Sequence, residues 1–254
     1  MNASAFHAAF DFTGKIVLVT GGAAGIGSAI ASLFAERGAT LALLDRDPAV
    51  EAAAAVLPGA GHVGLVVDVT DGTALAETVD TIISRFQRID VLVNNAGIVR
   101  LAPADTIAPE DWDLTMTVNL RAPFVLSQIV GRQMLLQGSG RIVNLASQAG
   151  IIAIEGHIAY CASKAAIISM TKVLALEWGP RGVTINAISP TVVETELGKK
   201  AWAGEVGEAM KRQIPCRRFA QPEEIAMAAL YLASGAAGMV NGENLVIDGG
   251  FTIQ

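Results

Sequence analysis

Apolar runs of four to six residues alternate along the chain with longer segments of helical period. "KIVLVT" (15–20) reads as a strand, followed by a Gly-rich turn and a helix through about Arg37. "TLALLD" (40–45) is the next strand, and "PAVEAAAAVL" the next helix, with Pro48 in its first turn. "HVGLVVD" (62–68), "DVLVNNAG" (90–97), "GRIVNLAS" (140–147), "GVTINAIS" (182–189) and "ENLVIDGG" (243–250) repeat the strand pattern. The runs are continuously apolar rather than alternating, as strands are when both sheet faces are covered. Strand–helix alternation therefore predicts a doubly wound α/β fold, a seven-stranded parallel sheet flanked by helices on both faces. No Pro-, Ser- or Gly-rich linker interrupts it, so residues 1–254 are expected to form a single domain. Residues 1–12 read as a loose N-terminal extension. Residues 190–220, between a strand and a helix beginning near Gln221, form the longest irregular stretch, a partly helical excursion where a substrate lid would sit.

Composition narrows the class. Hydrophobic residues make up 52% and charged residues 17%, richer in apolar residues than a typical soluble domain. A doubly covered sheet or burial between subunits accounts for this. A membrane span is not expected, because "AAIISMTKVLALEW" is broken by Lys172 and Glu177. The net charge of −6, with no run of Lys or Arg, argues against nucleic acid or an anionic membrane as partner. Cys161 and Cys216 form no CxxC pair, which suits a reducing cytoplasm, and the opening "MNASAFHAAFDFTGK" lacks the build of a secretory signal. His7, His62 and His157 make no spaced cluster, so no metal is expected.

Three constellations carry chemistry. "TGGAAGIG" (20–27) follows the first strand with glycines spaced G-x-x-x-G-x-G at Gly21, Gly25 and Gly27. Such a loop lets the backbone approach a pyrophosphate at a helix N-terminus, although a ligand-free tight turn would use the same glycines. Asp45 closes the second strand, where a carboxylate accepts hydrogen bonds from the ribose hydroxyls of a dinucleotide and repels a 2′-phosphate. That selects NAD over NADP, with neighbouring Arg46 as the opposing feature; the plainer role for Asp45 is to cap the helix at Pro48. Tyr160 and Lys164 share a helix face, so the ammonium is expected to lower the phenol's pKa. Ser147, at a strand's carboxyl end, is placed to hydrogen-bond a substrate oxygen. Singly, the three residues read as packing, a solvated lysine and a turn; together with a dinucleotide loop they read as an active site.

"TGGAAGIG", "NNAG" (94–97), Asn119, Ser147 and "YCASK" (160–164), in this order, resemble the short-chain dehydrogenase/reductases of compact Rossmann type, from about Thr13 to the C-terminus. The resemblance implies that Tyr160 is the general acid/base. It implies that Lys164 tunes Tyr160 and holds the nicotinamide ribose, that Ser147 orients the substrate oxygen, and that Asn119 supports a water-linked proton relay. It assigns Gly21, Gly25, Ile26, Gly27 and Asp45 to the cofactor, with Asp68 and Val69 at the adenine and Asn95, Ala96 and Gly97 beside its ribose. "PTVVET" (190–195) matches the family's P-G-x-V-x-T loop, with Pro190, Val193 and Thr195 on the carboxamide side.

Thr191 departs from that loop's glycine, and a β-branched residue disfavours positive φ, which leaves the loop path open. "SPTVVETELG…AW" is similar to the branch of dicarbonyl/xylulose reductases and threitol-type polyol dehydrogenases. The implied function is NAD-dependent oxidation of a small polyol, or reduction of the ketose. The substrate would lie among Ser147, Gln148, His157 and Trp202, with Glu155 and Glu194 nearby unless they are merely solvated and His157 only caps its helix. A reductase of another carbonyl, such as a 3-oxoacyl thioester, shares every catalytic residue. A non-catalytic NAD-binding scaffold does not need the Ser–Tyr–Lys set. Apolar residues on several faces of the 157–178 helix, with the family's use of it at subunit contacts, predict a homotetramer.

Overall fold

The computed structural model describes residues 8–254, apart from the side chain of Leu197. Seven parallel strands form one sheet: β1 (Ile16–Thr20), β2 (Thr40–Asp45), β3 (Val63–Val66), β4 (Val91–Asn94), β5 (Gly140–Leu145), β6 (Val183–Pro190) and β7 (Asn244–Ile247). Their spatial order is β3-β2-β1-β4-β5-β6-β7. The chain starts in the middle, winds outward to β3, and returns to β4 on the other side of β1. The carboxyl ends of β1 and β4 therefore flank the reversal point, where a crevice opens in folds of this kind.

Helices cover both faces because each strand is apolar on both. Val17, Val19 and Val143 point towards α1 (Gly25–Glu36), and further apolar residues of that layer come from α2 (Ala49–Ala55). Leu18, Leu92 and Ile142 point the other way, towards α3 (Gly72–Phe86). Between β4 and β5 the chain forms α4 (Pro109–Met116), one π-helical turn at Thr117–Arg121, and α5 (Ala122–Gln137). Helix α6 (Ile158–Trp178) packs on β6; α7 (Glu196–Ala201) and α8 (Glu205–Gln213) occupy the excursion, and α9 (Pro222–Ala233) packs on α1. Helix starts are local: Asp71 accepts from the Thr73 and Ala74 amides, and Gln221 and Glu224 form a reciprocal capping box.

One expectation is corrected here. Residues 1–7 of the expected loose extension lie outside the described residues, but Phe12 is not loose. It is buried, with its ring 4.8 Å edge-on from that of Phe34. The excursion at 190–220 is partly helical, as expected, and carries α7 and α8. By length and composition alone α6 could cross a membrane, yet in this fold Ser163, Lys164, Ile167 and Thr171 bury its inner face.

Candidate active site

A cleft of about 480 Å³ runs along the carboxyl ends of β1, β2 and β4. Asp45 is at one end, Gly21, Gly25 and Ile26 form its floor, and Asp68 and Val69 are beside Asp45. Asn95, Ala96 and Gly97 continue it, and Thr195 closes it over the glycine loop. The loop is built for close approach. A Cβ on Gly27 would stand 2.0 Å from the Gly21 carbonyl oxygen, and Gly21 has a φ of +66°. Asn95 Nδ2 donates to the carbonyls of Thr20 (2.9 Å) and Gly21 (3.1 Å), locking the loops after β1 and β4 together.

Asp45 does not cap the Pro48 helix; Asp47 takes the Ala49 amide instead. One Asp45 oxygen accepts from the Ala23 amide at 3.1 Å and the other from Asp47 N at 3.1 Å. Each carboxylate oxygen keeps a second lone pair, so the group remains able to accept from a ligand hydroxyl at the cleft's end. Arg46 lines the same cleft and draws Asp68 downward in pKa, behind the larger effects of the Thr70 amide and hydroxyl. These residues fit a dinucleotide bound without a 2′-phosphate: a bare-backbone cradle and a carboxylate acceptor, with Arg46 as the one basic group nearby.

The second half of the site is built on β5 and α6. Ser147 lies two residues beyond β5, and its Oγ accepts from Ala149 N at 3.1 Å, capping the short turn Gln148–Gly150. Lys164 is buried and donates through Nζ to the Leu145 carbonyl at 2.6 Å. Its ammonium also lies over the Tyr160 ring, 5.6 Å from the centroid. The two halves meet at Gly97: a Cβ there would lie 3.4 Å from Asn119 Oδ1 and 3.7 Å from Lys164 Nζ.

Electrostatics depart from expectation. Tyr160 is pushed above its ordinary pKa, because loss of water around the phenolate outweighs the opposing hydrogen bond from Ser147, and Cys161 adds to the rise. The expected lowering by Lys164 does not emerge, since that ammonium is engaged at Leu145 and is itself desolvated, its pKa falling to about 8. Tyr160 as a residue is only partly buried, which moderates the shift.

Asn119 sits in the π-helical turn, with Oδ1 accepting from Ile98 N at 2.8 Å and Nδ2 donating to Ile98 O at 2.9 Å and Ser163 Oγ at 3.2 Å. Ser163 in turn donates to Tyr160 O at 2.8 Å, linking Asn119 to the Tyr160 turn of α6. Sequence reasoning missed Ser163, although its place three residues after Tyr160 was a signal. It also missed Thr20, whose hydroxyl accepts from both Asn95 N and Ala96 N at 3.0 Å. A hydroxyl ending an otherwise apolar strand was the available sign.

The remaining candidates divide. His157 stands at the N-cap of α6 without a side-chain cap; its Nδ1 meets Glu155 O at 2.7 Å and its ring lies edge-on to Tyr160, centroids 6.5 Å apart. Trp202 packs edge-on against Phe219, 6.1 Å away, and Glu194 accepts from Gln221 Nε2 at 3.1 Å, so both have partners within the excursion. Pro190 ends β6 opposite Ile247, Val193 pairs with Ala220, and Thr195 caps α7. Thr191 needs no left-handed backbone: Gln87 and Arg217 are the non-glycine residues with positive φ among those described. Its amide extends the pairing with β7 by donating to Ile247 O at 3.0 Å. Among the described residues no His, Cys, Asp and Glu converge in threes as a metal would require.

Comparison with known proteins agrees with this architecture. A family model described as Enoyl-(Acyl carrier protein) reductase matches residues 21–252. The chain is 50% identical to the NAD-dependent glycerol dehydrogenase of Listeria innocua over 254 residues, the whole of both chains. It is 53% identical to the D-threitol dehydrogenase of Mycolicibacterium smegmatis over 250 residues, 96% of each chain. Among solved structures, NAD+-bound xylitol dehydrogenase superposes with a TM-score of 0.88 at 33% identity, covering 93% of this chain and 98% of the other. On the match across its length and the shared fold, the chain belongs to the short-chain dehydrogenase/reductase family.

Proposed function

We propose that this protein is an NAD-dependent dehydrogenase of a small polyol, working equally as the reductase of the corresponding ketose. The observation that carries the reading is the junction at Gly97, where the cleft lined by Asp45 and the glycine loop meets Asn119 and Lys164. The named activities of its half-identical relatives, on glycerol and D-threitol, supply the substrate class.

Bound NAD would supply the hydride acceptor for oxidation of the carbinol carbon, and its reduced form the hydride donor for the reverse reaction. The chain's own residues do the rest. Asp45 accepts from ribose hydroxyls and disfavours a 2′-phosphate, while the loop from Gly21 through Ile26 to Gly27 admits the pyrophosphate. Asp68 and Val69 border the adenine, and Asn95, Ala96 and Gly97 border its ribose. Pro190, Val193 and Thr195 hold the carboxamide side. Tyr160 accepts the hydroxyl proton in oxidation and returns it in reduction. Ser147 donates a hydrogen bond to the substrate oxygen as negative charge develops there. Lys164, fixed by Leu145, holds the nicotinamide ribose, and Asn119 braces the Tyr160 turn through Ser163 and supports the proton relay. His157 and Trp202 border the substrate under the 190–220 lid.

Exposed apolar residues on α5 (Phe124, Leu136) and α6 (Val173, Leu176) support a homotetramer, and two unpaired cysteines suit a cytoplasmic enzyme. The test is NAD reduction over C3 to C6 polyols of defined stereochemistry, run beside NADH oxidation with 3-oxoacyl thioesters. Turnover confined to the thioesters would replace the polyol reading.

A further inference from the structure

The excursion that carries α7 and α8 is closed at its neck by backbone bonds. Glu194 N donates to Ala220 O at 2.9 Å, and Ala220 N to Val192 O at 3.0 Å. Beyond this neck the end of α8 is held a second time, by the last residues of the chain. Cys216 N donates to Gly249 O at 3.2 Å, and Gln254 Nε2 to Gln213 O at 2.5 Å. Ile214, fully buried, and Pro215 press on Gly249 and Gly250. A Cβ on Gly249 would stand 2.7 Å from Ile214 Cγ2, and one on Gly250 3.1 Å from Pro215 Cγ, so the contact needs both glycines.

Those glycines are left-handed, with φ of +63° and +89°, and Asp248 fixes the turn they make. Its carboxylate is buried and accepts from Gly250 N at 2.8 Å and from Thr252 N and Thr252 Oγ1 at 2.7 Å each. These bonds wind Phe251–Ile253 into one short helical turn, and bonds to an ionised acceptor are stronger than neutral ones. The hold extends to the site, because α8 seats Gly207 against the Trp202 carbonyl, where a Cβ has no room. Resting on the function proposed above, we infer that Asp248 is a positioning residue for the substrate lid. The C-terminal turn that it builds holds α8, and through α8 Trp202, in the arrangement that binds the polyol.

The role has a kinetic signature. A lid that closes less readily weakens apparent substrate affinity by the fraction closed, while saturating substrate restores the closed state. Loosening the turn therefore raises KM and spares kcat. None of residues 248–254 lines the cofactor cleft, so NAD affinity is spared as well.

The experiment compares wild type with Asp248→Asn, which keeps size but turns an NH2 towards either the Gly250 or the Thr252 amide. KM for the best polyol is expected to rise about tenfold, the scale of one lost charge-assisted hydrogen bond, with kcat and NAD affinity changed by no more than about twofold. Limited trypsin digestion of the native enzyme should cut faster at Lys199, Lys200, Lys211 and Arg212, with other sites as protected as in wild type. If the Asn variant does not bind NAD, Gln254→Leu makes the same comparison at the surface by removing the bond to Gln213. An unchanged KM, or a fall in kcat or NAD affinity that matches the change in KM, overturns the positioning role. A wild type that oxidises no polyol overturns the functional reading instead. The trypsin comparison then decides the hold on α8, and unchanged cleavage overturns it.

Discussion

The ammonium of Lys164 donates to the carbonyl of Leu145 at 2.6 Å, tying α6 to the end of β5 two residues before Ser147. The bond joins the segments that carry Ser147 and Tyr160, since Ser147 lies two residues beyond Leu145 and Tyr160 one helical turn before Lys164. It also keeps a cation buried among groups that carry no opposite charge, and the pKa of Lys164 falls to about 8 as a result.

Replacing Lys164 by Met therefore separates catalysis from stability. A cation whose folded pKa is depressed burdens the fold while it is charged. That burden is fully present below about pH 8 and fades as pH rises towards the ordinary value of 10.5. It amounts to roughly 3 kcal/mol. The Met variant should lose at least about 10²-fold in kcat while its Tm at pH 7 is no lower than that of wild type. Differential scanning calorimetry at pH 7 and 10 checks this; a Tm lower by several degrees at pH 7 would mean the Leu145 bond outweighs the buried charge.

The upward push on Tyr160 by burial gives a pH signature. Oxidation needs the phenolate, so kcat/KM for a polyol should climb with pH from 6 to at least 9. Reduction needs the protonated phenol and should stay level over the same range. Profiles in both directions decide the matter, and an oxidation rate already flat below pH 7 would place the titrating base elsewhere.

Gly27→Ala tests the cofactor loop. With a Cβ 2.0 Å from Gly21 O and 2.9 Å from Gly21 C, the closest clash falls on backbone and cannot relax by rotating a side chain. Overpacking of this sort costs about 1–3 kcal/mol. NAD binding should be lost by fluorescence titration and Tm should drop by several degrees.

Much of this was legible in the chain because the signals are local. Seven apolar runs map to seven strands, and "TGGAAGIG" falls at the turn between β1 and α1. Where runs were drawn too long, side chains end the ladder. "DVLVNNAG" stops pairing at Asn94, because the next amide, Asn95 N, donates to the Thr20 hydroxyl at the end of β1. The π-helical turn around Asn119 was not legible, because a single turn of five residues is too short to set a period of its own. The direction of the Tyr160 shift was illegible for a different reason. Spacing placed Lys164 on the right face, but burial and the competing carbonyl of Leu145 are tertiary facts.

Asp45→Asn should weaken NAD binding about tenfold, the scale of losing one charge-assisted hydrogen bond, and bring NADP affinity closer to that of NAD. Asparagine still offers an oxygen to the Ala23 amide, so Tm should change little. Parallel titrations with both nucleotides measure the ratio; an unchanged ratio would remove Asp45 from cofactor selection.

The most direct measurement is the turnover of Tyr160→Phe with NAD and the best polyol of the panel, at saturating concentrations of both. The account predicts a fall of about 10²–10⁴ in kcat, with NAD affinity within twofold of wild type. A Phe variant that oxidises the polyol at near wild-type rate would contradict it.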